Sequence, residues 1–257
     1  MAKRTQNKKW HTAASALLWV LVWQLAALAI GEELFLHSPV AVVRSFAGLA
    51  LTGGFWASAG TSLLRIGLGF VLGLVLGVLL AWGAAAFRFV ETLLRPLMLL
   101  VRSTPVASFV ILALVWVSGR SLSTFISFLM VLPVIYNGTL SGIAAADGKL
   151  LEMAEVFHVS FGRRVRAIYL PALRPFLLSA CELALGLCWK SGVAAEVIGL
   201  PKGTIGERLY QAKIYLMTPE LFAWTAVIIL LSWLFTKLVM AGLRGASRKL
   251  ERSGLHG

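Results

Sequence analysis

The sequence predicts an all-α, polytopic membrane protein with about six transmembrane helices. Of its 257 residues, 59% are hydrophobic and 14% are charged, whereas soluble domains have about 45–50% apolar residues and about a quarter charged residues. Runs of about 20 mostly apolar residues, the length that a helix needs to cross a bilayer, recur along the chain. Composition and run length together indicate a membrane protein built from spanning helices.

The excess of basic over acidic residues in the chain does not indicate a nucleic-acid partner. The formal net charge is +13, but the Lys and Arg residues lie in short segments between apolar runs, where the positive-inside rule places them. We therefore expect membrane lipid headgroups, and no nucleic acid, beside these cations.

The first predicted span covers residues 12–31, between a basic N-terminal segment, 1–11, and Glu32-Glu33. Its uncharged run is longer than the roughly 7–15 residues of a signal-peptide core, so we expect a retained helix. The following loop, 32–57, is predicted to be extracytoplasmic and to contain a short surface helix between turn residues.

The other five spans are predicted within a core of residues 58–243. Their limits are 66–87, 91–118, 121–146, 172–199 and 221–243. The third is interrupted by Arg95-Pro96 and by Arg102-Ser103-Thr104-Pro105, and a polar loop, 200–220, precedes the last. Residues 244–257 form a basic tail.

The distribution of Lys and Arg predicts the orientation in the membrane. Six spans put both termini on one side, where fifteen of these residues fall, against five on the opposite side. The positive-inside rule then places both termini and residues 147–170 in the cytoplasm.

A stripe of glycines marks the second span. Gly69, Gly73 and Gly77 recur every four residues, and small residues on one helix face allow another helix to approach closely. A phosphate-binding loop is the alternative, but no Lys-Ser/Thr follows, and no Walker motif is found in the sequence.

Residues 152–171, EMAEVFHVSFGRRVRAIYLP, interrupt the apolar pattern with two glutamates and three arginines. The pattern predicts a cytoplasmic helix–turn–helix, with a helix from Leu150, a break permitted by Gly162, and Pro171 in the first turn of the fifth span. Ala154 and Phe157 would face a partner, with Glu152 on an exposed side. The alternative is a solvated loop that its arginines anchor to lipid headgroups.

This stretch resembles the EAA loop of bacterial ABC importer permeases, whose pattern is Glu-Ala-Ala, three residues, Gly, nine residues, Ile, one residue and Leu-Pro. Glu152-Met153-Ala154 occupy the Glu-Ala-Ala position when Leu170-Pro171 are aligned. His158 stands where the family has glycine. SPVAVVRSF, STPVASFVILALVW and ALGLCWKSGVAAEVIGL are similar to the nitrate/sulfonate/taurine branch of these permeases.

The resemblance implies a type I permease fold in the bacterial inner membrane and import of a small solute, an anion of that branch or a vitamin precursor. It implies two permease copies as a homodimer, two cytoplasmic ATP-binding subunits and an extracytoplasmic solute-binding protein. It also implies that ATP is hydrolysed outside this chain, which is then not an enzyme. The residues expected to couple to the ATPase are Glu152, Met153, Ala154, Phe157, His158 and Gly162.

Ionisable residues at membrane depth are candidates for the translocation path, because each is expensive to place in lipid. Glu182 and Lys190 lie eight residues apart in span five and either pair with each other or face the path. Glu196, near the outer end of the span, has the same two interpretations. In region three, Arg102 precedes the break at Thr104 and Pro105, and such breaks face protein or a water-filled cavity.

Two rival classes have less support. A secondary transporter or channel subunit would show internal repeats and coupling-ion carboxylates, and no convincing repeat is found. A membrane enzyme would show a clustered polar site. The four histidines are not in ligand spacing, so neither a metal nor a cofactor is predicted.

Overall fold

The computed structural model describes residues 2–31 and 36–254, and within them every regular element is helical. Eleven α-helices are described: α1 Ala2–Ile30, α2 Pro39–Ala50, α3 Gly53–Ala86, α4 Arg88–Ser103, α5 Val106–Ala113, α6 Gly119–Ala144, α7 Gly148–Val156, α8 Phe161–Arg164, α9 Leu170–Gly199, α10 Ile205–Ile214 and α11 Thr218–Gly254. A π-helical turn, Val165–Tyr169, joins α8 to α9. The all-α prediction is confirmed. The predicted stop at Glu32-Glu33 lies outside the described residues.

Four helices of the described chain are long and apolar enough to cross a membrane. They are α3, α6, the continuous helix Phe161–Gly199 and the Thr218–Gly245 part of α11. Helices α4 and α5 together make a fifth candidate, bent by 106°. The apolar part of α1, Leu17–Ile30, is shorter. The polytopic helical fold is confirmed with four or five apolar spans, against about six predicted.

Several helix boundaries differ from the predictions, and two of the differences have a clear physical reason. Helix α3 begins at Gly53 rather than at Ile66. It extends N-terminal to the apolar run because Phe55, Ser58 and Ser62 form a buried face there. The predicted polar loop 200–220 contains α10, which the Thr204 side chain caps by accepting a hydrogen bond from the Glu207 N–H at 3.2 Å.

The third predicted span is interrupted at one of its two candidate breaks. Helix α4 continues through Pro96, whereas the chain turns at Thr104, whose backbone is extended (φ −85°, ψ 133°). Pro105 explains this conformation, because a proline disfavours helical geometry in the residue before it.

The core is organised around α6, which packs against α3 on one side and α9 on the other. The glycine stripe of α3 lies on α6: a Cβ added at Gly73 would come within 2.6 Å of Val131 Cγ1, and one at Gly69 within 2.5 Å of the Thr124 carbonyl oxygen. Ser127 Oγ on α6 donates to the Cys188 carbonyl oxygen on α9 at 3.1 Å. These close approaches require small residues, so the stripe sets how tightly α3 and α6 pack.

Candidate functional site

The charged stretch between α6 and α9 folds as a short helix and a tight turn. Helix α7 begins after Asp147, whose Oδ1 accepts a hydrogen bond from the Lys149 N–H at 2.9 Å, as a capping carboxylate does. It ends at Val156, and the Val159 N–H donates to the Ala154 carbonyl oxygen at 2.9 Å. This six-residue closure is the pattern of a Schellman turn.

The turn depends on His158, which has a φ of 50°. In a Schellman turn this position takes the left-handed conformation and favours glycine. The predicted break at Gly162 is wrong, because Gly162 lies inside helix α8 and the chain turns over residues 157–160. His158 thus occupies the position where a glycine would relieve strain.

Arg164 fastens the turn from the other side. Its Nε donates to the Val159 carbonyl oxygen at 2.8 Å and its Nη2 to the Ala154 carbonyl oxygen at 3.3 Å. An arginine that satisfies carbonyl groups at a helix C-terminus stabilises the end of that helix. No local sequence signal indicates this role for Arg164, because its two acceptors lie five and ten residues earlier in the chain.

The turn presents apolar side chains to solvent. Val156 and Phe157 are each 73% exposed and Phe161 is 72% exposed, and Glu152 on the preceding turn is exposed as well. We call Val156, Phe157 and Phe161 the apolar tip. Ala154 departs from the prediction: it is 2% exposed, so it packs within the chain and has no surface to offer a partner.

An open groove lies between α6 and α9, beside the end of α4. Its volume is about 460 Å³. The residues that line it are Arg102, Val134, Asn137, Gly138, Pro175, Phe176, Ser179, Ala180 and Leu183. Arg102 is thus brought to the groove, whereas Thr104 and Pro105 form the bend beside it and are not among its lining residues.

The charged residues of α9 have three different environments. Lys190 is exposed. The Glu182 Oε2 lies 3.9 Å from Nη2 of Arg244 on α11, with both side chains more than half exposed, and it makes no ion pair with Lys190 among the described residues. Exposed pairs of this kind contribute little to stability.

Glu196 is fully buried near the C-terminal end of α9. Its Oε2 accepts hydrogen bonds from Ser62 Oγ at 2.7 Å and from the Gly206 N–H at 3.2 Å, while the Ile205 N–H donates to Ser62 Oγ at 2.9 Å. A carboxylate at a helix N-terminus satisfies free N–H groups and complements the helix dipole. Of its two interpretations, the geometry favours structural pairing, because the side chain joins α3, α9 and α10.

The described residues form a bundle of apolar helices with a charged, solvent-exposed arm between α6 and α9, an architecture found in membrane transport subunits. Comparison with known proteins gives the family: residues 73–252 match the binding-protein-dependent transport system inner membrane component. This match covers well over half of the chain, so the chain belongs to that family. The recognition made from the charged stretch is confirmed.

Three relatives show the range of this family. The chain is 29% identical over 207 residues to a Bacillus subtilis (strain 168) protein named for aliphatic sulfonates transport, with 79% of this chain and 74% of the relative covered. It is 25% identical over 241 residues to the taurine transport system permease protein of Escherichia coli (strain K12), covering 91% and 86%. It is 25% identical over 207 residues to the nitrate import permease protein of Synechococcus elongatus, covering 76% and 73%.

The functional class follows from this membership. The chain is the membrane permease component of an ABC importer, as predicted, and the secondary transporter is not supported. The family is not itself catalytic, and it implies an ATPase and a solute-binding protein as partners.

Proposed function

We propose that two copies of this chain form a homodimeric permease that carries a small anionic solute into the cell. Two cytoplasmic ATP-binding subunits power it, because the sequence contains no Walker motif of its own. A solute-binding protein delivers the solute at the extracytoplasmic face. Both termini lie in the cytoplasm, as the fifteen-to-five distribution of Lys and Arg predicts.

An anionic solute is supported by the relatives and by the charges. The names of the three relatives refer to sulfonates, taurine and nitrate, all of which carry an anionic oxygen-bearing group. Arg102 and Lys190 are exposed cations on helices that belong to predicted membrane spans. A cationic side chain at membrane depth that faces a path attracts an anion.

The observation that carries the proposal is the apolar tip. Three large apolar side chains, Val156, Phe157 and Phe161, stand exposed on a turn that Arg164 holds in one shape. Apolar side chains fixed on a rigid turn suit insertion into a cleft of another protein, where their burial stabilises the complex. Glu152, one turn before them, would accept hydrogen bonds from the rim of that cleft.

Co-purification tests the proposal directly. We expect the parent chain to retain its ATP-binding subunits in detergent, and Phe157→Asp to release them, because a charge cannot be buried in the cleft without a partner. Tyr215→Asp is the matched control and should leave the complex intact, since Tyr215 is 71% exposed and follows α10, which packs on the C-terminal end of α9, whereas the arm precedes its N-terminal end. Retention of the ATP-binding subunits by Phe157→Asp, or uptake driven by an ion gradient without them, would contradict the proposal.

A further inference from the structure

We infer that a buried water molecule is bound between α3, α6 and α9, where Arg65, Ser123 and Glu196 hold it. The site lies beside the hydrogen bonds that Glu196 accepts from Ser62 and from the Gly206 N–H, but it uses three other polar atoms. The inference goes beyond the proposed function, because it depends neither on the solute nor on the ATP-binding subunits.

Helices α3, α6 and α9 approach one another closely at Gly192. A Cβ added at Gly192 on α9 would come within 2.5 Å of Ser127 Oγ on α6 and within 2.7 Å of Ile66 Cγ1 on α3, so these three residues lie at one level of the bundle. Further along α6, a Cβ added at Gly142 would come within 2.7 Å of Leu173 Cδ1 on α9. Residue numbers therefore rise along α6 while they fall along α9, which means that these two helices are antiparallel.

The residues that hold the water lie one helical turn from the level of Gly192. Ser123 on α6 precedes that level by four residues and Glu196 on α9 follows it by four, so in antiparallel helices both are displaced in the same direction. On α3, Ser62 shares the new level, because its Oγ donates to Glu196 Oε2 at 2.7 Å. Arg65 follows Ser62 by three residues and lies on the same face of α3. Arg65 and Ser123 are accordingly close enough to interact with the Glu196 carboxyl group.

Three polar atoms at this level have no hydrogen-bond partner within the part of the chain that the structure describes. They are Glu196 Oε1, Ser123 Oγ and Arg65 Nη1, and each atom is buried. Glu196 and Ser123 are both 0% exposed. Buried polar atoms in proteins nearly always have a partner, which is either another protein group or an ordered water. Donors and acceptors that lie near each other without bonding directly are the arrangement that a bridging water completes.

The charges at the site select water over an ion. A water molecule accepts a hydrogen bond from Arg65 Nη1, donates one to Glu196 Oε1 and shares a third with Ser123 Oγ, and about three such bonds are typical of a buried water. A cation would lie against the Arg65 guanidinium, and an anion would lie against the Glu196 carboxylate. Either ion would meet a like charge at short range, whereas a neutral molecule with donors and acceptors satisfies all three atoms.

The bound water brings α6 into the polar junction. Direct hydrogen bonds already join Glu196 on α9 to Ser62 on α3 and to the first turn of α10. The Ser123 hydroxyl makes none of these direct bonds. With the water bound, α3, α6, α9 and α10 share one hydrogen-bonded centre.

A high-resolution structure of the full-length permease, by crystallography or cryo-electron microscopy, tests the inference. We expect a single density peak within about 2.5–3.2 Å of Arg65 Nη1, Ser123 Oγ and Glu196 Oε1. Ser123→Val replaces the hydroxyl with methyl groups that cannot bond to the water and that fill its space, so the peak should be absent. Ser127→Ala is the matched control, because it removes a buried hydroxyl of the same helix that donates directly to the Cys188 carbonyl oxygen at 3.1 Å. The peak should remain in this control.

Oxygen-17 magnetic relaxation dispersion gives a second measurement, because it detects waters that stay bound to the protein. The parent and Ser127→Ala should each show one more long-lived water per chain than Ser123→Val. Comparable thermal midpoints verify that the variants are folded.

Three results would overturn the inference. The first is a parent structure in which Glu196 Oε1 bonds directly to Arg65 or Ser123 with no peak between them, and it needs no variant to fold. The second is a peak whose height changes when chloride is replaced by bromide, which would identify an anion. The third is an equal number of long-lived waters in the parent and in folded Ser123→Val.

Discussion

Ser62 Oγ and Glu196 Oε2 are joined by a buried hydrogen bond of 2.7 Å between residues 134 positions apart in the chain. The same Ser62 oxygen accepts the Ile205 N–H, and the same carboxylate oxygen accepts the Gly206 N–H. The first turn of α10 is therefore attached to both α3 and α9. This arrangement fixes the N-terminal part of α3, the C-terminal end of α9 and the first turn of α10 relative to one another.

We predict that Ser62→Ala lowers the free energy of unfolding by about 1–3 kcal/mol, because it leaves the Ile205 N–H and part of the Glu196 carboxylate without partners. Unfolding in a mixed-micelle denaturant titration measures the change. Thr61→Ala is the matched control, since the Thr61 hydroxyl donates only to the Ala57 carbonyl oxygen of its own helix, on an exposed face. A loss no larger in Ser62→Ala than in Thr61→Ala would show that this network does not hold α10.

The glycine stripe gives a second prediction. Gly73→Leu should lower stability by about 3 kcal/mol or more and impair dimer recovery, because a side chain there overlaps Val131 on α6 and overpacking is destabilising. Gly60→Leu changes the same helix where a Cβ meets no atom within 4 Å, and it should be tolerated. Unaltered folding and dimer stability in Gly73→Leu would mean that α3 and α6 separate more readily than this packing implies.

The turn at His158 provides a third prediction. His158→Gly should raise the free energy of unfolding by about 1 kcal/mol, since a left-handed backbone is unfavourable for a residue with a Cβ by about 1–2 kcal/mol. His158→Ala keeps the strain and should give no such gain. The midpoints of the three proteins, measured side by side, check this, and equal gains for Gly and Ala would exclude backbone strain as the cause.

Cysteine labelling tests the orientation. The native cysteines, Cys181 and Cys188, are both buried, so the background should be low. Lys202→Cys should react with a membrane-impermeant thiol reagent added to intact cells, and Lys149→Cys should react only after the membrane is opened. Reaction of Lys149→Cys in intact cells would reverse the proposed topology.

The sequence was sufficient for features that depend on local pattern. Apolar run length predicted the all-α membrane fold, and the spacing of Glu152, Leu170 and Pro171 was enough to recognise the family. The short surface helix after the first span was predicted as well and corresponds to α2. These features could be predicted because hydrophobic length and helical spacing are properties of a single segment and do not depend on contacts with distant residues.

Features that depend on contacts between distant segments could not be predicted. Glu196 was visible as a charge in a span, but its partner Ser62 lies on another helix. Asn137 and Ser179 lie on different helices, and no local pattern indicates that both line the groove with Arg102. The break was assigned to Gly162, the more permissive residue, because nothing local shows that Arg164 holds the turn at His158.

The burial of Ala154 decides which substitutions can test the charged stretch between α6 and α9. Ala154 was predicted to face a partner, but it is 2% exposed, so a bulky charge there would disrupt the turn itself. Glu152 and Phe157 are exposed, so variants there alter the contact surface and leave the turn intact.

The central claim, that the arm between α6 and α9 transmits the energy of ATP hydrolysis, is tested most directly by one measurement. It is the stimulation of ATPase activity by loaded solute-binding protein in reconstituted vesicles, recorded together with uptake, for the parent and for Glu152→Ala. Loss of a hydrogen bond to a charged group weakens a contact by about 1.5–3 kcal/mol, so we expect roughly a tenfold or greater loss of stimulation and uptake in a correctly inserted permease. Stimulation and uptake equal to those of the parent in Glu152→Ala, and also in Phe157→Ala, would contradict the claim and leave the arm as a lipid headgroup anchor.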